Sequence, residues 1–257
     1  MKILVTNDDG INAPGLWALA TELGKVGEVV VFAPDGERSG IGTAITLHSP
    51  VCLAEFEPLA PLVKAAYAVG GTPADSVILA LAVVTDVDVV VSGINRGANM
   101  GSDVLLSGTV GAALQGLFHG LPSIAISVDY ADEMQFEAAA RMAGLLVRKL
   151  DEHKPSGVLL NVNLPNLPAG RIGGVEVTRI GAGGYSNAIK MEHDGSTNNY
   201  RIAIGQPHWS AEAGTDMHAV RQGKVSITPL EGTLTSASGG IPFLDGSLPK
   251  MLAELTS

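Results

Sequence analysis

The sequence predicts an α/β fold: a doubly wound, mostly parallel sheet core with a β-rich C-terminal extension. Two patterns carry this reading. Up to about Pro165, short β-branched apolar runs alternate with segments of helical apolar spacing, the order that crossover helices on a parallel sheet require. Beyond Pro165, apolar runs follow one another without clear intervening helices, as expected of antiparallel strands packed on the core or on a second subunit. Composition agrees, because 32 glycines and only 4% aromatic residues suit a tightly packed sheet with many βα turns. The chain reads as a single domain over 1–257, with its core over about 1–165 and an oligomerisation extension over about 166–257.

Ile3-Leu4-Val5 is a buried strand that ends abruptly in Asn7-Asp8-Asp9-Gly10. Leu16, Leu19, Ala20 and Leu23 follow at helical spacing, with Pro14 in the first turn. Val29–Phe32 is the second strand, and Asp35–Thr46 is a polar, glycine-rich loop. Pro50–Glu57 and Ala65–Val69 read as short strands of a hairpin arm. Thr72 caps a helix with Pro73 at its first position, running through Val77–Val84. The unbroken β-branched run Val87–Ser92 marks a central strand. A glycine-rich loop then leads into a helix over about Thr109–Phe118. Pro122–Val128 is a strand, Phe136, Ala140, Ala143, Val147 and Leu150 mark the next helix, and Val158–Val162 is the strand after it. In the extension, Val175–Ile180, Tyr200–Ile204 and Lys224–Pro229 are strands, Gly181–Asn199 is polar, and Leu248–Leu255 forms a short terminal helix.

Composition excludes several classes of function. At 257 residues, with 46% hydrophobic and 16% charged residues, the chain can bury a substantial core and is not a disordered tail. No apolar run approaches the roughly 18 to 20 residues that span a bilayer, so no membrane partner is expected. Met1-Lys2-Ile3 enters a strand directly, without the pattern of a secretory signal. The single Cys52 excludes an intramolecular disulfide and a cysteine-based zinc site, so a reducing cytoplasm is the expected compartment. A net charge of −10, with no block of Lys and Arg, argues against nucleic acid as an extended partner. A small anionic substrate would need a local cation.

Asp8 and Asp9 supply the reason to expect one. Adjacent carboxylates at the carboxyl end of a parallel strand repel each other, and a hard divalent ion such as Mg²⁺ or Mn²⁺ offsets that cost. The alternative is a polar turn in which one Asp caps the next helix. Two further segments fall on the same face of the sheet. Asp35–Gly40 offers the Ser39 hydroxyl, and Ser92–Gly101 offers the Asn95 amide oxygen. Together they make an all-oxygen site with open positions for water and phosphate. Ser107-Gly108-Thr109 opens a helix with small residues, so its N–H groups and hydroxyls suit an anion. Arg96 and Arg38 stand beside the metal candidates as sources of positive charge. None of the six histidines pairs at i, i+4, and there is no Gly-x-Ser-x-Gly elbow. His208 and His218 read as surface or packing residues.

At this point the chain resembles the survival protein E (SurE) nucleotidases. The matching segments are Ile3–Ile11, Ala33-Pro34-Asp35 with Glu37-Arg38-Ser39, Gly71–Asp75, Val91–Gly97 with Asn99-Met100-Gly101, Ser107–Val110 and Val225–Leu230. They are collinear over nearly the whole chain. The resemblance implies a Rossmann-like core with a C-terminal arm that exchanges between subunits, giving a homodimer or tetramer. It implies one divalent metal cation per subunit, Mg²⁺ or Mn²⁺, on Asp8, Asp9, Ser39 and Asn95. It places Asn99, Ser107 and Thr109 in the loops that line the phosphate pocket; the chemistry of the residues themselves makes Asp8 and Asp9 the catalytic candidates and adds Asn95, Arg96 and Gly108 to the substrate and phosphate contacts. The implied activity removes phosphate from nucleoside 5′-monophosphates, with 3′-monophosphates and short polyphosphate as further substrates. Three departures stand out: Ser76 replaces a common cysteine, Leu234–Ser238 lacks a histidine that many members carry, and Gly181–Pro207 matches least.

A receiver-like Mg²⁺-binding signalling module without hydrolase activity also places paired acids after its first strand. It needs an aspartate at the end of the central strand, where this chain has Ser92-Gly93-Ile94-Asn95. The Asp-x-Asp spacing of haloacid-dehalogenase-type phosphatases is absent from Asn7–Gly10.

Overall fold

The computed structural model describes residues 1–194, 197–209 and 212–233. The chain runs through β1 (Lys2–Thr6), α1 (Pro14–Leu23), β2 (Glu28–Pro34), β3 (Leu53–Phe56), β4 (Val63–Val69) and α2 (Pro73–Val83). It continues with β5 (Val89–Arg96), a 3₁₀ turn at Gly101–Leu105, α3 (Gly108–Phe118), β6 (Ser123–Val128), α4 (Glu137–His153) and β7 (Leu159–Leu164). After these come β8 (Val175–Val177), the long strands β9 (Gly183–Asp194) and β10 (Thr197–Trp209), α5 (Asp216–Arg221) and β11 (Val225–Leu230). Among the described residues nine strands form one sheet in the order β3-β4-β2-β1-β5-β6-β7-β11-β8, and β9 pairs with β10 in a separate antiparallel hairpin.

Within the large sheet β1, β2, β4, β5, β6 and β7 are parallel to their neighbours in that set, whereas β3 is antiparallel to β4 and β11 to β7. Strand alternation divides the core. Ile3, Val5, Val29, Val31, Val89 and Val91 face α1 and α4, meeting Leu16, Leu19, Leu23, Ala143 and Val147. Leu4, Val30, Phe32 and Val90 face the other way, onto Val77 and Ala80 of α2 and Ala112 of α3. A parallel sheet covered on both faces needs strands without polar alternation, which explains the unbroken apolar runs.

Helix starts follow local chemistry. Pro14 occupies the first turn of α1, where its missing N–H costs nothing. At α2, Thr72 Oγ1 accepts from Asp75 N at 3.0 Å while Asp75 Oδ2 accepts from Thr72 N at 2.8 Å, a reciprocal cap. Ser76 is fully buried in that helix, and its hydroxyl donates to Thr72 O at 3.1 Å, so the position packs.

The structure goes beyond the sequence reading in four respects. β3 and β4 pair antiparallel as the expected hairpin, and β4 also pairs parallel with β2, which joins the hairpin to the central sheet. The extension joins the core sheet itself, through β11 antiparallel to β7 as expected and through β8, which is parallel to β11 rather than antiparallel. A short helix, α5, does intervene, capped by the Thr215 hydroxyl. The polar segment beginning at Gly181 contains a 12-residue strand, β9, whose backbone bonds are met by β10 rather than by the core. The expected helix at Leu248–Leu255, the Leu234–Ser238 segment and the end of any exchanged arm lie outside the described residues. Among the described residues no helix is long and apolar enough to cross a membrane.

Candidate active site

β1 has β2 on one side and β5 on the other. The chain leaves β1 towards one edge of the sheet and leaves β5 towards the other, through β6 and β7. The carboxyl ends of β1 and β5 therefore border the crevice where open α/β sheets bind ligands.

β1 stops at Asn7, whose side-chain amide donates to Gly10 O at 3.0 Å and accepts from Gly10 N at 3.2 Å. This closed turn fixes the two acids between them. Gly10 has φ +96°, and a Cβ there would lie 2.9 Å from the Gly36 carbonyl carbon, so the close approach of the next loop requires glycine. That loop is tied back by Arg38 N donating to Asp8 O at 2.7 Å.

Asp8 is only 4% exposed and points at the start of α3. Thr109 Oγ1 donates to its Oδ1 at 2.5 Å, and the Thr109 N–H also faces the carboxylate. Burial raises the Asp8 pKa from 3.8 to about 6; the Thr109 hydroxyl pulls it down and the Asp9 charge adds to the rise. Asp9 is half-buried, and its Oδ2 accepts from Arg96 N at 3.3 Å. Its pKa is also raised, first by burial and further by Glu37, against the lowering effects of the Arg96 N–H and guanidinium.

Asn95 lies one residue from that contact. Its Nδ2 donates to Gly97 O at 2.7 Å, which commits the nitrogen and leaves Oδ1 as the atom for a cation. Ser39 differs from the other three candidates. It is exposed, and its hydroxyl donates to Glu37 Oε1 at 2.9 Å, although the neighbouring Arg38 N–H holds this loop against Asp8. Asp8 and Asp9 are thus adjacent, Asn95 is tied to them through the Arg96 N–H on Asp9, and Ser39 through the Arg38 N–H on Asp8.

The anion side is also rearranged relative to the sequence reading. The Thr109 hydroxyl is spent on Asp8, so Thr109 orients an acid. Ser107 Oγ accepts from Val110 N at 3.1 Å as the α3 cap, which leaves its own O–H free to donate. Gly108 is compulsory, because a Cβ there would lie 2.9 Å from Asp8 Cβ and 3.1 Å from Pro73 Cγ. In the loop after β5, Gly97 N donates to Val128 O, Asn99 N to Asn163 Oδ1 and Gly101 N to Asp216 Oδ2, so these N–H groups are already satisfied. Asn99 Nδ2 donates to Ser127 Oγ at 3.0 Å. Arg96 places its guanidinium 5.0 Å above the Tyr130 ring, with Nη2 donating to the Tyr130 hydroxyl at 3.4 Å. Arg38 is engaged by Asp35 at 2.9 Å and by Gly71 O at 3.2 Å.

Asn161, Asn163 and Asp216 were not legible as site neighbours. Asp216 is fully buried and accepts from the backbone N–H of Gly101, Gly181 and Met217. The one available signal was Asn161-Val162-Asn163, two amides at strand spacing in an otherwise apolar run.

The donor set fits a hard cation. Among the described residues no group of three or more His, Cys, Asp or Glu converges, and no Lys or Arg forms an ion pair with Asp8 or Asp9. Two desolvated acids beside neutral oxygens are a donor set that a hard divalent cation can use.

A sequence model of the family described as Survival protein SurE matches residues 3–187, well over half of the chain. This chain belongs to the SurE family. It is 46% identical over 245 residues to the 5′-nucleotidase SurE of Moorella thermoacetica, covering 93% of both chains. It is 46% identical to the 5′-nucleotidase SurE of Legionella pneumophila (strain Philadelphia 1) over 91% of this chain and 92% of the relative. The 5′-nucleotidase SurE of Geobacter sulfurreducens is 44% identical over 92% of this chain and 90% of its own. The crystal structure of the SurE protein from Aquifex aeolicus superposes with a TM-score of 0.78 at 38% identity, covering 98% of this chain and 100% of that one. The mostly parallel α/β core described above is thus the SurE fold.

Proposed function

We propose that this SurE protein is a metal-dependent phosphomonoesterase that removes phosphate from nucleoside 5′-monophosphates, with 3′-monophosphates and short polyphosphate as further substrates. The observation that carries the reading is the Asp8–Asp9 pair at the switch point of the sheet, with the first turn of α3 against Asp8. Relatives named 5′-nucleotidase SurE at 43–46% identity support the same activity.

Asp8, Asp9, Ser39 and Asn95 would hold one divalent cation per subunit, Mg²⁺ or Mn²⁺. When bound, the ion supplies Lewis-acid polarisation of the phosphoryl oxygens and acidifies water. Burial raises the Asp8 pKa to about 6 before any cation binds, so metal binding there is coupled to loss of the Asp8 proton. Two routes remain open: Asp8 or Asp9 takes the proton from an attacking water, or one of them attacks phosphorus directly. The Ser107 hydroxyl, the Gly108 N–H and the Asn99 amide are the donors for the phosphate oxygens, with Arg96 at the rim. Burial of the Thr109–Asp8 contact keeps water from competing for that carboxylate oxygen.

The test is release of inorganic phosphate from a panel of phosphorylated metabolites with Mg²⁺ or Mn²⁺. Turnover concentrated on nucleoside monophosphates is the expected result, and no phosphate from any nucleotide with either metal would sink the reading. The signalling-module alternative has no support, since Asn95 stands near the end of β5 where a receiver needs its aspartate. The single, exposed Cys52 supports a reducing, cytoplasmic setting.

A further inference from the structure

β7 is an interior strand of the large sheet, where strands covered on both faces are ordinarily apolar, yet it carries Asn161 and Asn163, both 0% exposed. Burying two amides is unfavourable unless each is used. Both project from the α3 side of the sheet, because Leu159, two residues earlier, packs with Val110 and Ala113. Register aligns Asn163 with Ser127 of β6 and Ser226 of β11, and Asn161 with Ala125 and Thr228. A polar band therefore crosses the sheet beneath the loop that leaves β5.

The band converges on one residue. Asn99 N donates to Asn163 Oδ1 at 2.8 Å, and Asn163 Nδ2 donates back to Asn99 O at 3.1 Å. Asn161 Nδ2 donates to the same carbonyl at 2.8 Å. The Asn163 side chain thus behaves as a peptide group, pairing with both backbone groups of Asn99 as a neighbouring strand would. Ser127 Oγ then accepts from Asn99 Nδ2 at 3.0 Å, which fixes the side chain as well. Backbone and amide of Asn99 are held by three side chains from two strands, four residues beyond the Asn95 candidate.

We propose that Asn163, with Asn161 and Ser127, is a positioning residue that sets Asn99 as a phosphate contact. The inference rests on the nucleotidase reading in taking the Asn99 loop as the phosphate side of the site. Asn163 and Asn161 touch no substrate; they act through Asn99. Because the acids follow β1 and are held by α3 and Arg96, loosening Asn99 should weaken phosphate binding and spare the metal site.

The test compares wild type with Asn163→Leu, Ser127→Ala and the conservative Ser127→Thr. The measurements are KM and kcat on a nucleoside monophosphate, the inhibition constant of inorganic phosphate, and Mn²⁺ affinity by calorimetry. Losing hydrogen bonds that orient a donor should raise KM and the phosphate inhibition constant roughly tenfold in Asn163→Leu and about threefold in Ser127→Ala. Mn²⁺ affinity should be unchanged, kcat should fall by less than either constant rises, and Ser127→Thr should restore phosphate affinity. A role confined to folding would lower the melting temperature and leave KM and the inhibition constant alone. If Asn163→Leu does not fold, the Ser127 pair decides. Wild-type phosphate affinity in folded Ser127→Ala, or equal losses of Mn²⁺ and phosphate affinity, overturns the proposal. A wild type without nucleotide turnover overturns the nucleotidase reading instead, and the two failures are separate.

Discussion

Thr109 Oγ1 donates to Asp8 Oδ1 at 2.5 Å, joining the first turn of α3 to the end of β1 across 101 residues of sequence. Neither residue can move without the other, because Asp8 and Thr109 are both buried. The bond favours the charged carboxylate and so opposes the effect of burial. Thr109→Val keeps the shape and removes the donor. The Asp8 pKa should therefore rise further, and the acid limb of kcat/KM should move to higher pH, while Thr109→Ser leaves it in place. An acid limb that stays put in Thr109→Val excludes Asp8 as the group titrating there.

The same carboxyl predicts how stability depends on pH in the metal-free protein. Its folded pKa of about 6 lies above the ordinary 3.8, so the folded state holds the proton more tightly than the unfolded state. Stability linked to Asp8 is fully present below about pH 4 and is lost as pH rises through 6, on the order of 3 kcal/mol in total. Asp8→Asn cannot ionise. Its stability minus that of wild type, measured by urea unfolding without metal, should therefore grow between pH 4 and 6 and then level off. A flat difference across that window contradicts the buried, shifted carboxyl.

Asp8→Asn and Asp9→Asn should each remove nearly all phosphatase activity while leaving the fold intact. Each neutralises half the formal charge of the acid pair, and the chain has a large core that does not depend on a metal for burial. Chelation of the wild type should likewise abolish turnover without unfolding, and added Mg²⁺ or Mn²⁺ should restore it. Circular dichroism and phosphate release on the same samples separate the two effects. Activity that survives exhaustive chelation, or full activity in either variant, would falsify the assignment of the acids.

Gly108 gives a steric test of the same arrangement. An alanine Cβ there would come within 2.9 Å of Asp8 Cβ, and both atoms are fixed by backbone. Asp8 must yield, so Gly108→Ala should cost more than about tenfold in kcat/KM and about 1 to 3 kcal/mol in stability. Wild-type kinetics in this variant would show that Asp8 can shift without consequence.

The legible parts of this molecule are those in which one segment carries its own instruction. β1 and β5 announce themselves by unbroken apolar runs, α2 by its Thr72–Asp75 cap, and the acid pair by charges that no buried strand would hold. Contacts set by distant segments were hidden. Nothing around Thr109 indicates that its hydroxyl would meet Asp8 rather than an anion, since only the packing of α3 on β1 and β5 brings them together. Pairing choice was equally invisible: β4 adds to β2, and β11 crosses back to β7, through contacts that sequence spacing does not encode. β9 escaped notice because its polar, glycine-containing start pairs with β10 instead of the apolar core.

Self-association should proceed through residues beyond 165. Among the described residues β8 forms an edge of the large sheet with Val177 76% exposed, and β9 and β10 pair only with each other. Ile189 and Ile202 are register partners on that hairpin, and Ile202 is 77% exposed. An apolar pair exposed among the described residues calls for a partner surface. The full-length chain should therefore run as a homo-oligomer, dimer or tetramer, in light scattering at micromolar concentration. Ile189→Asp with Ile202→Asp should shift it towards smaller species, because opposed charges of one sign on a buried pair cost more than a surface can return. The acids at β1 lie on a separate element, so metal binding should persist in the variant. A full-length protein that is monomeric at that concentration would mean that these apolar residues serve no self-assembly.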